Sequence, residues 1–151
     1  MKVTKMMVAA AAFGLACASP VFAADTMAKD QVKAEKERIS SEAKANKEKC
    51  KDMKGNAKDI CMAEAKGQEK VAKAELAAKE KDTPKNRYDV VAAKADADHD
   101  VAREKCDEMK GKEKEACQKD AKNARDAAKK TAKTEREAAE PKKERKAKKD
   151  A

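Results

Sequence analysis

Glu48-Lys-Cys-Lys-Asp-Met-Lys-Gly55 returns 56 positions later as Glu104-Lys-Cys-Asp-Glu-Met-Lys-Gly111. Beyond that stretch, Lys58, Cys61, Ala65 and Lys66 fall on Lys114, Cys117, Ala121 and Lys122. A match at fixed offset is an internal duplication, so the chain repeats one supersecondary unit. Each copy carries two cysteines eleven residues apart, Cys50 and Cys61, then Cys106 and Cys117. A glycine sits near the middle of each cysteine pair, where it can turn the chain.

Outward from these two centres the chain reads as helix. Ala, Lys, Glu and Asp dominate after Asp25, and no run alternates with period two. The fold class is therefore all-α, built on helix propensity more than on a thick core. Gly55-Asn56, Thr83-Pro84, Gly111 and Pro141 punctuate it. Asn56 is expected to cap a helix with Asp59 in its first turn. Thr83 is expected as a cap with Pro84 at the first helical position. Four helices follow, over 27–54, 57–80, 84–110 and 113–139, as two duplicated hairpins in an extended or loose bundle. The domain reading is a signal over 1–23, hairpin repeats over 24–82 and 83–140, and a basic, disordered tail over 141–151.

An apolar stripe runs through Val32, Ile39, Ala43, Asn46, Cys50 and Met53, in steps of seven, four, three, four and three. Tyr88, Ala95, His99, Ala102, Cys106 and Met109 hold the equivalent places. Alternating threes and fours are a coiled-coil seam. The offset equals eight heptads, so both copies keep one phase. This places Met53 and Met109 on the seam. Charged residues elsewhere read as solvated helix surface.

The N-terminus has the pattern of a secretory signal. Lys2 and Lys5 precede an apolar run from Met6 to Cys17, Pro20 breaks it, and Val21-Phe22-Ala23 suits cleavage after Ala23. Lipid attachment at Cys17 is disfavoured, because Gly14 stands where such a site wants leucine. Cleavage would place the protein in the periplasm or outside the cell, with no membrane-spanning segment left. Lys+Arg would fall from 38 to 36 against 29 Asp+Glu, a net charge of +7. Tyr88 would be the sole aromatic and Leu76 the sole leucine. Exported thiols pair, so four cysteines fit two disulfides.

Two pairings are open. If residues 50–61 formed one unbroken helix, the cysteines would stand about 16 Å apart along it. They would then bridge across antiparallel helices, as Cys50–Cys117 and Cys61–Cys106, much as in twin CX9C proteins. If Gly55 reverses the chain, each pair closes its own turn, as Cys50–Cys61 and Cys106–Cys117. Gly55-Asn56 is a good helix stop and favours the local pairing.

The remaining motifs are weighed by their chemistry. Asp96, Asp98, His99 and Asp100 form the one cluster resembling a metal site. A single helix face supplies too few ligands for zinc or copper, and there is no second histidine. Met53 and Met109 read as seam residues before copper ligands. The ten-residue gap between the cysteines reads as structural, unlike the Cys-x-x-Cys of redox catalysts. No catalytic triad, phosphate loop or nucleotide fingerprint is present, and neither an enzyme nor a cofactor is expected. In the tail, Lys142, Lys143, Arg145, Lys146, Lys148 and Lys149 are candidates for anionic partners such as lipid, lipopolysaccharide or peptidoglycan. Nucleic acid is disfavoured, because the tail has no aromatics to stack bases and export removes the chain from the chromosome.

Met53-Lys-Gly-Asn-Ala-Lys-Asp-Ile-Cys61, with Ala63-Glu-Ala-Lys-Gly-Gln-Glu-Lys-Val-Ala-Lys-Ala-Glu-Leu76 and Arg87-Tyr88-Asp89, resembles small secreted proteobacterial proteins with paired Cys-x10-Cys segments. The likeness spans most of the chain after the signal. Members are commonly uncharacterised or labelled TolA-like cell-envelope proteins; the likeness to TolA lies in its Lys/Ala/Glu-rich helical stalk. The resemblance implies no catalytic residue. The expectation is a non-enzymatic envelope protein, a spacer or interaction module with weak affinity for anionic envelope surfaces or with other envelope proteins as partners. The alternative is a periplasmic stress chaperone or metal-buffering protein.

Overall fold

A computed structural model of the chain describes residues 27–140. It contains four helices: α1 (Lys29–Lys49), α2 (Gly55–Glu80), α3 (Pro84–Cys106) and α4 (Gly111–Ala139). There is no strand among the described residues. The all-α, two-hairpin reading therefore holds. The signal over 1–23 and the tail over 141–151 lie outside the described residues.

The helix ends at the two stapled turns differ from expectation, and in the same way. α1 stops at Lys49 and α3 at Cys106, rather than at 54 and 110. The next backbone N–H groups bond three residues back: Cys50 to Lys47, Lys51 to Glu48 and Met53 to Cys50. Asp107, Glu108 and Met109 do the same to Glu104, Lys105 and Cys106. Such tightening leaves the α-helix before the glycine is reached. Gly55 and Gly111 then take φ of +57° and +54°, the left-handed region where a Cβ would be strained. α2 and α4 begin at these glycines, two residues earlier than predicted. Lys54, not Asn56, is the N-cap, and Asn56 leaves its Nδ2 buried without a hydrogen bond. Asp59 lies beyond the first turn.

The junction between the hairpins follows expectation. Thr83 Oγ1 accepts from the Asn86 N–H at 3.0 Å, and Pro84 opens α3. Asn86 adds what the sequence had not suggested. Its side-chain amide donates to the carbonyls of Ala77 (3.0 Å) and Lys81 (2.7 Å), satisfying the C-terminus of α2 from the start of α3.

Each helix packs mainly on its neighbours in sequence: α1 on α2, α2 on α3, α3 on α4. The side-chain positions explain why. On α2, Ala65 lines a crevice with Asn46 and Lys49 of α1, while Gly67 meets Ala97 of α3. Two residues is about 200° around a helix, so α1 and α3 occupy opposite sides of α2. On α3, Ala97 meets α2 while Ala95 lines a crevice with Ala121 and Ala124 of α4. The same 200° argument sets α2 and α4 on opposite sides of α3. The helices thus form an open single layer, up-down-up-down, rather than a closed four-helix bundle.

The duplicated copies differ where this layer ends. The face that α2 turns to α3 carries Ala63, Gly67 and Ala74; the equivalent face of α4 carries Lys119, Asn123 and Lys130, all exposed. The face that α3 turns to α2 carries Ala93 and Ala97; on α1 the equivalents are Glu37 and Ser41, also exposed. Polar outer faces close the array after two repeats, as terminal repeats do in helical solenoids.

Burial follows most of the predicted seam. Val32, Ile39, Ala43 and Cys50 are buried in the first copy, and Ala95 and Cys106 in the second. Val32, Ile39 and Leu76 form the aliphatic core, with Met27 and Ala72 against it. In the second copy their equivalents are Tyr88, Ala95 and Ala132. There the guanidinium of Arg136 covers the Tyr88 ring, 4.8 Å from its centre. Met53 and Met109 are a correction: they are 40% and 43% exposed, because the seam ends with the helix at the cysteine.

Candidate functional site

Both disulfides are local. Cys50 bridges Cys61 and Cys106 bridges Cys117, with Cα–Cα distances of 5.6 and 5.7 Å. The cross-helix pairing does not occur, because the left-handed glycine brings the two arms side by side within bridging reach. Cys50 and Cys106 are fully buried, while Cys61 and Cys117 are half-buried. Antiparallel succession puts both stapled turns at one end of the layer. The opposite end holds the start of α1, the α2–α3 junction and the end of α4.

Lysines brace the two turns. Lys58 Nζ lies 3.4 Å from the Lys51 carbonyl oxygen, reaching back across the first turn. In the second, the equivalent Lys114 pairs with Asp107 at 2.9 Å, and Gln118 donates to the same carboxylate at 3.2 Å. The Lys114 hydrogen bond holds the Asp107 carboxyl below its ordinary pKa. At both turns the methionine side chain, Met53 or Met109, stands in solvent.

The acidic cluster of α3 does not converge. Asp96 accepts from Lys129 of α4 at 2.9 Å. Asp100 pairs with Lys70 of α2 at 3.4 Å. Asp98 lines the groove on the α2–α3 face. His99 is nearly buried in the α3–α4 crevice, with Nδ1 3.4 Å from Asp100 Oδ1. The carboxylates of Asp96 and Asp100 thus serve as ties to two different helices. Among the described residues no three potential metal ligands come together.

Two further features were not anticipated. One is a groove of about 620 Å³ between α2 and α3, lined by Gly67, Val71, Ala97 and Val101 among others. Small residues at positions 67 and 97 were the available signal for close helix approach. The other is the triad Lys47–Glu69–Lys73, which ties α1 to α2. Hydrogen bonds from Lys47 and then Lys73 lower the Glu69 carboxyl to about 2. Charged residues that pattern alone assigns to a solvated surface here join two helices.

The candidate anion-binding residues Lys142, Lys143, Arg145, Lys146, Lys148 and Lys149 lie outside the described residues. The chain enters that segment from Glu140, at the end opposite the stapled turns. No helix among the described residues is long and apolar enough to cross a membrane. Comparison with protein-family models, with curated proteins and with solved structures finds no match to the chain.

Proposed function

We propose that the protein is a non-enzymatic, exported helical module of the cell envelope. It serves as a spacer or interaction element, weakly anchored to anionic surfaces by the segment 142–149. The observation that carries this reading is the polarity of the layer. The stapled turns occupy one end, and the chain leaves the other end into six Lys/Arg and two acidic residues. The 29-residue α4 spans about 43 Å, enough to hold the two ends well apart. The open layer supports the same reading, since a row of helices exposes two broad faces. The N-terminal pattern over 1–23 and the two disulfides support export.

Cosedimentation with vesicles containing phosphatidylglycerol, and with purified lipopolysaccharide or peptidoglycan, tests the anchoring. Each Lys or Arg near an anionic membrane contributes about 1 kcal/mol, falling with salt. Binding is expected at low ionic strength, to weaken with added salt and to vanish on deletion of 142–151. Binding unchanged by that deletion would remove the anchor from the account.

A further inference from the structure

The identities between the two copies cluster at the stapled turns, and the structure assigns tasks to most of them. The cysteines form the bridges. The glycines take the left-handed conformation. Lys58 and Lys114 reach back across their turns. Met53 and Met109 are the matched pair whose side chains do nothing comparable. Their backbone N–H groups bond to the carbonyls of Cys50 and Cys106. This chain places few large apolar side chains in water. Among the described residues they are Met53, Met109 and Val91. Two of the three are thus thioethers at one repeated position, at one end of the molecule.

We propose that Met53 and Met109 are paired oxidation sites, each accepting one oxygen atom from a hydroperoxide at no cost to the fold. The thioether sulfur attacks the distal peroxide oxygen. An S–O bond forms, the O–O bond breaks, and the sulfur loses two electrons. The departing oxygen takes a proton and leaves as water or an alcohol. The product is methionine sulfoxide, which is polar and reducible. In a core such a change disrupts packing. At positions 53 and 109 the methionines are already 40% and 43% exposed and lie outside the aliphatic core, and their backbone hydrogen bonds do not involve the sulfur. Met27 differs, being packed against Val32, Ile39 and Leu76, and Met62 is half-buried. The four cysteines among the described residues offer no competing thiol, since each is bridged.

The test treats the disulfide-bonded protein with hydrogen peroxide and follows each methionine by peptide mass spectrometry. Met53 and Met109 should gain one oxygen each at equal rates, ahead of Met27 and Met62. Helicity and melting temperature should not change. The variant M53L/M109L should fold as the parent does and lose the two fast equivalents of oxidant. Met27 or Met62 reacting as fast, survival of the fast phase in the double variant, or a lower melting temperature after oxidation would each overturn the proposal.

Discussion

Gly67 and Ala97 mark the close approach of α2 and α3, the helices that join the two hairpins, and this contact can be tested by moving one methyl group. A Cβ built on Gly67 would lie 2.7 Å from the Cβ of Ala97, far inside ordinary carbon contact. Neither group is the end of a flexible chain, so α2 and α3 would have to separate. In Gly67→Ala two effects oppose each other. Helix propensity favours alanine by about 1 kcal/mol. Overpacking a close contact costs about 1–3 kcal/mol. The single variant is therefore expected to lie between unchanged and about 2 kcal/mol less stable. Ala97→Gly removes the methyl and costs about 1 kcal/mol in propensity, with a smaller packing loss. The double variant G67A/A97G carries one methyl across the same gap, so the clash disappears. It should be more stable than the two singles predict, by about 1–3 kcal/mol. Urea unfolding followed by circular dichroism measures all four proteins. In melting temperature the coupling is on the order of 4 °C per kcal/mol. Strict additivity, within about 0.5 kcal/mol, would mean that the helices are not in contact there and that the layer reading of α2 and α3 is wrong.

Other consequences follow from the same geometry. Closing an eleven-residue separation with a disulfide restricts the unfolded chain by about 3 kcal/mol on the loop-entropy model. C50S/C61S and C106S/C117S should each lose roughly that much, and the losses should approach additivity because the bridges close separate turns. The pKa of Glu69 is depressed in the folded state to about 2, so its stabilisation is fully present above the unfolded value, near 4.3. It is lost as pH falls through the folded value. The lysines are partly solvated, which limits the effect to about 1 kcal/mol. An acid titration of stability between pH 5 and 2 should flatten by that amount in Glu69→Gln; an unchanged slope would refute the tie between α1 and α2. Asn86→Ala removes the bond to the Lys81 carbonyl and the second of two bonds to the Ala77 carbonyl, which keeps the Lys81 N–H, and should cost about 1–2 kcal/mol, seen as a lower urea midpoint with unchanged slope.

Helices, repeat and turns were legible in the amino-acid order because their causes are local. Residues that propagate helices leave little else to form, Thr83-Pro84 starts α3 through its own side chain and ring, and a repeated glycine dictates a repeated turn. The two positions of greatest chemical interest were less legible. The seam period extends through Met53 and Met109, but periodicity assumes that the helix continues. Three short backbone bonds at each cysteine end it first and turn both methionines into water. The destinations of Asp96 and Asp100 were equally hidden, since helical spacing puts them near one another without revealing that Lys129 and Lys70 draw them to different helices.

Composition, duplication and turn residues by themselves determined that this is a pair of helical hairpins with a thin core. The four cysteines of the two copies, in a leucine-poor chain, also made crosslinks the natural substitute for apolar burial. Tertiary structure decided the rest: which cysteines bridge, and that the helices stand in a row instead of closing into a bundle. The physical reason lies in positions 65, 67, 95 and 97. Alanine and glycine carry almost no hydrophobic signal, so a sequence pattern cannot tell an alanine that faces water from one that admits a neighbouring helix. Only the arrangement in space shows that α2 and α3 each have two such sides, and that α1 and α4 have polar backs.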